Sequence, residues 1–130
     1  MPVYSQPQET IWPKKTPLPS HEEIRRKTLA RFGFVPCLWQ IKVVEAILKH
    51  DRDVVSIAAT GSGKTLTFWM PLLFRDGGIQ IVISPLNLLG EQNVVDLAAK
   101  TVPAIAVTVK NANKQTFQVC VLASICIVNN

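Results

Sequence analysis

Apolar positions along this chain change period partway through. Between Ser20 and His50 they recur at helical spacing, and beyond Asp53 short β-branched runs alternate with helical stretches. Ser20 followed three residues later by Glu23 fits a capping box, Ile24, Leu29 and Phe32 share a face, and Gly33 is a stop, which predicts a first helix over 21–32. After Pro36, the residues Trp39, Val43, Ile47 and Leu48 predict a second helix ending near the turn at Asp51-Arg52-Asp53. Val54, Val55 and Ile57 predict a strand before a glycine-rich turn, and the helix that begins at Gly63 should kink or end at Pro71. The turn Asp76-Gly77-Gly78 leads into Ile79–Ser84, a β-branched run bounded by Pro85 and expected to be a buried strand. Leu86, Leu88, Leu89, Val95, Leu97 and Ala98 predict another helix up to the break at Thr101-Val102-Pro103, and Ala104–Val109 a third strand. The final run, Val119–Asn130, fits either a fourth buried strand or a non-native terminus. Strands alternating with helices imply βαβ units, a parallel sheet and right-handed crossovers, hence an α/β fold.

Composition narrows this picture. Residues 1–19 hold five of the nine prolines among polar neighbours and read as a flexible Pro-rich leader, leaving residues 20–130 for one folded unit. With 130 residues and 48% hydrophobic content, one modest core is available and two are not. The formal net charge of +5 permits an acidic partner such as nucleic acid without requiring one. Nine Lys/Arg against five Asp/Glu lie in residues 1–52, so the excess sits before the glycine turn. Part of it is the cluster Arg25, Arg26, Lys27 and Arg31, which fits either phosphate contact or a solvated helix face. Cys37, Cys120 and Cys126 lack metal or redox spacing and are expected as free thiols. No signal-peptide pattern opens the chain, and its longest apolar run is too short to span a bilayer, so an intracellular, soluble protein without membrane contact is expected.

The chemistry concentrates at AATGSGKT, residues 58–65. Gly61 and Gly63 let successive backbone N–H groups converge on one point, as in a phosphate nest, and the following helix start favours an anion. Lys64 is placed to reach β- and γ-phosphates and the Thr65 hydroxyl to ligate Mg²⁺. Against G-x-x-x-x-G-K-[ST], Ala58 replaces the first glycine. The bland alternative is a glycine-containing turn that happens to end in Lys-Thr. Taken alone, Gln40 would be an ordinary exposed glutamine.

Gln40, the AATGSGKT loop and ISPLNLLGEQ at 83–92, in this order, resemble the first part of a superfamily 2 helicase motor, most closely the RecQ-like DNA helicases, which are related to the DEAD/DEAH-box proteins. The resemblance covers about residues 24–117. Phe32-Gly33 matches the pair that precedes the family's Q motif, and Gln40 would read the adenine edge of ATP. Cys37 stands where the family carries an arginine or lysine. Thr60, Gly61, Ser62, Gly63, Lys64 and Thr65 match motif I, with Leu66, Phe68 and Pro71 matching beyond it. By resemblance Lys64 and Thr65 serve catalysis, and Thr65 holds the metal. Ser84, Pro85 and Leu86 match the start of motif Ia, and Leu89 and Gln92 align with the DEAD-box pattern. Ser84, Asn87 and Gln92 are therefore candidates to touch a nucleic-acid backbone, unless this stretch serves only the core.

The resemblance implies a partial RecA-like P-loop domain with flanking helices, truncated before the DEAD/DEAH-type box. It further implies ATP and Mg²⁺ as cofactors, DNA in preference to RNA as partner, and a nuclear rather than cytoplasmic location. The parent activity would be that of an ATP-dependent 3'-5' DNA helicase. Asp51, Asp53, Asp76 and Asp96 are the chain's aspartates, and none follows a four-residue apolar strand. The carboxylate pair and second-domain arginines that hydrolysis requires are thus not legible here. The expectation is a truncated product that binds nucleotide and nucleic acid but neither hydrolyses nor unwinds alone. Two other classes remain open: a P-loop kinase, and a non-catalytic nucleic-acid-binding or interaction fragment.

Overall fold

The computed structural model describes residues 17–75, 77–120 and 125–129, with the side chains of Asn87 and Asn129 left out. Most of the Pro-rich leader, and Asp76 of the second turn, lie outside the described residues.

Helix α1, His21–Phe32, starts where Ser20 Oγ accepts the Glu23 N–H at 3.1 Å and stops at Gly33, whose φ of 77° only glycine adopts readily. Helix α2, Leu38–Lys49, follows, and His21 Nε2 lies 3.3 Å from Glu45 Oε2 between the two. Helix α3, Lys64–Trp69, passes into a 3₁₀ turn, Met70–Phe74, with Pro71 at the start of that turn, so the proline does end the regular helix. Strand β1, Gln80–Ser84, then helix α4, Asn87–Ala99, and strand β2, Ala104–Val107, complete one βαβ unit. Helix α5, Lys114–Cys120, and strand β3, Ile125–Asn129, follow.

All strands are parallel in the order β1-β3-β2, with Gln80 and Ala104 both beside Ile125. The last apolar run therefore supplies a buried strand, and it is the central one: Ile125, Cys126 and Ile127 are almost fully buried. The core gathers on one face of the sheet from Ile24, Phe32, Ile41, Val44, Leu66, Trp69, Met70, Leu97, Val102, Ile125 and Ile127. Phe32 and Trp69 meet with ring centroids 5.6 Å apart, a tilted pair that ties α1 to α3. Each such fully buried side chain contributes about 1.5–3 kcal/mol over its exposed state.

Four expectations are corrected. Residues 53–59 form no strand, and Val55 and Ile57 are 86% and 95% exposed. A strand needs a ladder, and among the described residues none lies beside this segment. β1 is not buried on both faces: Ile81 and Ile83 are 66% and 81% exposed, because α4 covers only the Val82 side. Leu29 of α1 and Leu88, Leu89 and Val95 of α4 are exposed, so the apolar stripe of each helix is wider than its buried face. Finally, α5 was not expected, since KQTFQVC carries no continuous helical stripe.

Candidate nucleotide site

The glycine turn lies between the exposed 53–59 segment and α3. Gly61 and Gly63 have φ of 81° and 80°, so the left-handed conformations inferred for a phosphate nest are present. Ser62 tightens the turn, its N–H and Oγ reaching the Ala59 carbonyl at 3.2 and 2.6 Å. Gly63 N-caps α3, and the Thr67 hydroxyl donates back to Lys64 O at 2.6 Å inside the first turn.

Lys64 Nζ folds back over the loop and donates to the carbonyls of Ala58 and Ala59 at 2.8 and 2.7 Å. No carboxylate pairs with it among the described residues. Its charge is thus held by neutral acceptors that a phosphate would outbid. Thr65, half-buried, stands next to it in α3, and its hydroxyl is the hard oxygen ligand that Mg²⁺ prefers. A Cβ at Gly61 would meet nothing within 4 Å, so space is open for an anion to approach the loop backbone. Thr60 is exposed at the same turn.

Gln40 departs from the exposed glutamine its isolated position suggests. It is buried in the first turn of α2, where its Oε1 accepts from Cys37 N–H at 2.9 Å and from Cys37 Sγ at 3.2 Å. Its Nε2 donates to Gly63 O at 3.0 Å, with Ser62 O at 3.5 Å. The backbone angle at Gly63 requires glycine, and a Cβ there would come within 2.7 Å of that nitrogen and push the end of the Gln40 amide off its bond. Gln40 and the glycine loop are therefore brought together, with Gln40 bonded to the loop backbone. Cys37 is the N-cap residue of α2 and donates to Gln40 through both its N–H and its Sγ. Its contact with Gln40 was not foreseen, although an S/T-x-x-Q-like spacing from Cys37 to Gln40 signals it.

The motif Ia candidates stand apart. Ser84 ends β1 and its Oγ accepts the Leu86 N–H at 3.3 Å, closing a local turn. Asn87 opens α4. Gln92 is exposed on α4, its Nε2 donating to Asp96 Oδ1 at 2.8 Å. Gln80 Nε2 donates to Phe68 O at 2.6 Å and so ties the start of β1 to α3. Of the basic cluster, Lys27 pairs with Glu23 at 3.2 Å and lies over the Phe74 ring, and Arg31 donates to Thr101 O. Arg26, Lys27 and Arg31 line an open cleft of about 290 Å³ with Leu73. Among the described residues no group of three His, Cys, Asp or Glu could hold a metal ion, and no helix is long and apolar enough to cross a membrane.

The family model described as DEAD/DEAH box helicase matches residues 38–128. The chain is 44% identical over 72 residues to the bifunctional 3'-5' exonuclease/ATP-dependent helicase WRN of Mus musculus, covering 55% of this chain and 5% of that protein. It is 34% identical over 89 residues to ATP-dependent DNA helicase Q5 of Rattus norvegicus, covering 67% of this chain and 9% of that protein. It is also similar to the probable ATP-dependent RNA helicase ddx52 of Dictyostelium discoideum, 39% identical over 59 residues, covering 41% of this chain and 9% of that protein. The chain therefore spans less than a tenth of the length of each of these relatives.

Proposed function

This chain belongs to the DEAD/DEAH box helicase family, with RecQ-family proteins among its relatives, and from that premise we propose that it binds Mg-ATP at residues 60–65 as part of a partial RecA-like helicase domain. The observation that carries the reading is the Gly61–Thr65 turn with Lys64 resting on two backbone carbonyls. In this reading Lys64 releases Ala58 and Ala59 and turns to the β- and γ-phosphates, a stronger charge-assisted contact. Gly61, Ser62 and Gly63 offer backbone N–H groups to the same phosphates, Thr60 flanks them, and the Thr65 hydroxyl ligates Mg²⁺. The metal neutralises phosphate charge when bound. Gln40 holds the loop through Gly63 O, and to read adenine it must share or give up that bond.

The nucleic-acid partner is DNA in preference to RNA, because the match to a DNA helicase runs over 89 residues and that to the RNA helicase ddx52 over 59, and the RNA helicase matches keep RNA as the competing ligand. Ser84, Asn87 and Gln92 at the end of β1 and on α4 would meet its backbone, and Gln92 must first leave Asp96. Binding rather than turnover is assigned to these 130 residues. Phosphoryl transfer depends on positioned carboxylates and an arginine in the transition state, and among the described residues no carboxylate pairs with Lys64.

Calorimetric titration of Mg-ATP into the wild-type chain and Lys64→Ala tests this. Heat of binding in the wild type and its loss in the variant is expected; equal isotherms would remove the assignment. Competition between single-stranded DNA and RNA of one sequence checks the partner, with Gln92→Ala expected to weaken DNA binding by several-fold.

A further inference from the structure

The sheet has a second face, opposite the main core. Register places Ile81, Cys126 and Ile105 side by side in one row of it, and Ile83, Val128 and Val107 in the next. Over the β2–β3 part of this face lies a small cluster in which Val107, Cys120 and Cys126 are buried, with Ile105 and Val128 packed on them. Cys120, the last residue of α5, is the buried residue of that helix, while Phe117 and Val119 remain exposed. α5 is therefore held to the sheet chiefly through one small side chain. Its sulfur lies 3.1 Å from Cys126 Sγ, and both thiols are free.

We propose that Cys120 and Cys126 form a reversible disulfide that staples α5 to the central strand, made by exchange with a low-molecular-weight disulfide such as oxidised glutathione. The sulfurs need to close by roughly 1 Å to reach bonding distance, a movement within the reach of two side chains. The order of events follows from their positions. Burial, and then the contact with Cys120, pushes the Cys126 thiol up to about 11, and its strand is paired on both sides, so it stays protonated and shielded. Cys120 sits on a seven-residue helix that has little else buried, and it is uncovered first when the helix opens. The Cys120 thiol gives up its proton, and its sulfur attacks glutathione disulfide, forming a mixed disulfide and releasing one glutathione thiolate. The Cys126 thiol then gives up its proton and attacks the Cys120 sulfur, displacing the second glutathione thiolate. Two protein thiols are oxidised, one glutathione disulfide is reduced to two thiols, and the two protons end on those products.

The test uses the full chain carrying Cys37→Ser, so that only this pair can react. Incubation with oxidised glutathione without denaturant should remove two hydrogen masses from the peptide following Lys114 and abolish both thiols counted by maleimide after subsequent unfolding, and dithiothreitol should reverse this. Tryptic cleavage after Lys114 should slow at least about fivefold, the ratio expected for a stabilisation near the low end of what a single mutation changes. With Cys126→Ser added, Cys120 should keep a glutathione adduct; with Cys120→Ser instead, Cys126 should remain unmodified over the same period. Adducts or intermolecular dimers in place of the internal bond, equal reaction of the two single-cysteine variants, or a disulfide that leaves cleavage unchanged would each overturn the proposal.

Discussion

Gln40 spends its side-chain amide on the protein itself, which changes what its substitution should do. Both ends are engaged, Oε1 by Cys37 and Nε2 by Gly63 O, so Gln40→Ala removes bonds worth about 0.5–1.5 kcal/mol each and loosens the loop that carries Lys64. ATP and GTP binding should therefore both weaken, with ATP weakening more if the amide also contacts adenine; parallel titrations of the two nucleotides separate these effects. Gly63→Ala should be worse, since a left-handed backbone costs a non-glycine residue roughly 1–2 kcal/mol and the new methyl meets Gln40 Nε2. Urea unfolding should show that loss, and nucleotide binding should fall with it. At Cys126 the folded state holds its proton more tightly than the unfolded chain does. That stability is complete below the ordinary thiol range and is lost as pH rises from about 8.5 towards 11. Unfolding midpoints followed across this window should fall less in Cys126→Ala. The identities of the loop residues were legible because motif spacing is local. The Gln40–Gly63 bond was not, because its partners lie 23 positions apart and meet only when α2 packs on α3.

Among the elements, α1 and α3 appear where Ser20, Gly33 and Pro71 place them, and α2 and α4 where apolar spacing does. These signals act within a turn or two of the residues that carry them, so a single sequence displays them. Strand identity is different. The run at 53–59 has β-branched residues yet no ladder, whereas the run at 125–129, equally apolar, becomes the central strand with a neighbour on each side. Which apolar run is paired depends on distant partners, and periodicity does not report them. α5 was missed because only Cys120 faces the sheet, so its pattern has no stripe to detect. The packing of α4 gives an element-scale test. Leu97 is fully buried in the main core, while Leu88, Leu89 and Val95 are exposed. Leu97→Ala should destabilise the fold by about 2–5 kcal/mol and Val95→Ala by much less, as measured by denaturant unfolding.

For the molecule as a whole, apolar surface is distributed unevenly. The outer edge of β1 has no partner strand among the described residues, Ile81 and Ile83 project beside it, and Val55 and Ile57 are exposed on another segment. An open edge with β-branched side chains is a template for pairing. The isolated chain should therefore self-associate as concentration rises, and Ile81→Lys with Ile83→Lys should reduce this, as followed by sedimentation velocity. Unchanged association would place the sticky surface elsewhere. The partial RecA-like architecture and the family were legible from the order of Gln40, the glycine loop and the Ser84-Pro85-Leu86 stretch; the uncovered second face was not, because it depends on what packs there. The central claim, that nucleotide phosphates sit on the 60–65 loop, is tested most directly by the backbone amide resonances of that loop. Addition of Mg-ATP should shift Gly61, Ser62, Gly63, Lys64 and Thr65 most strongly, and Lys64→Ala should abolish the shifts. Shifts confined to other segments, or shifts of equal size in Lys64→Ala, would contradict it.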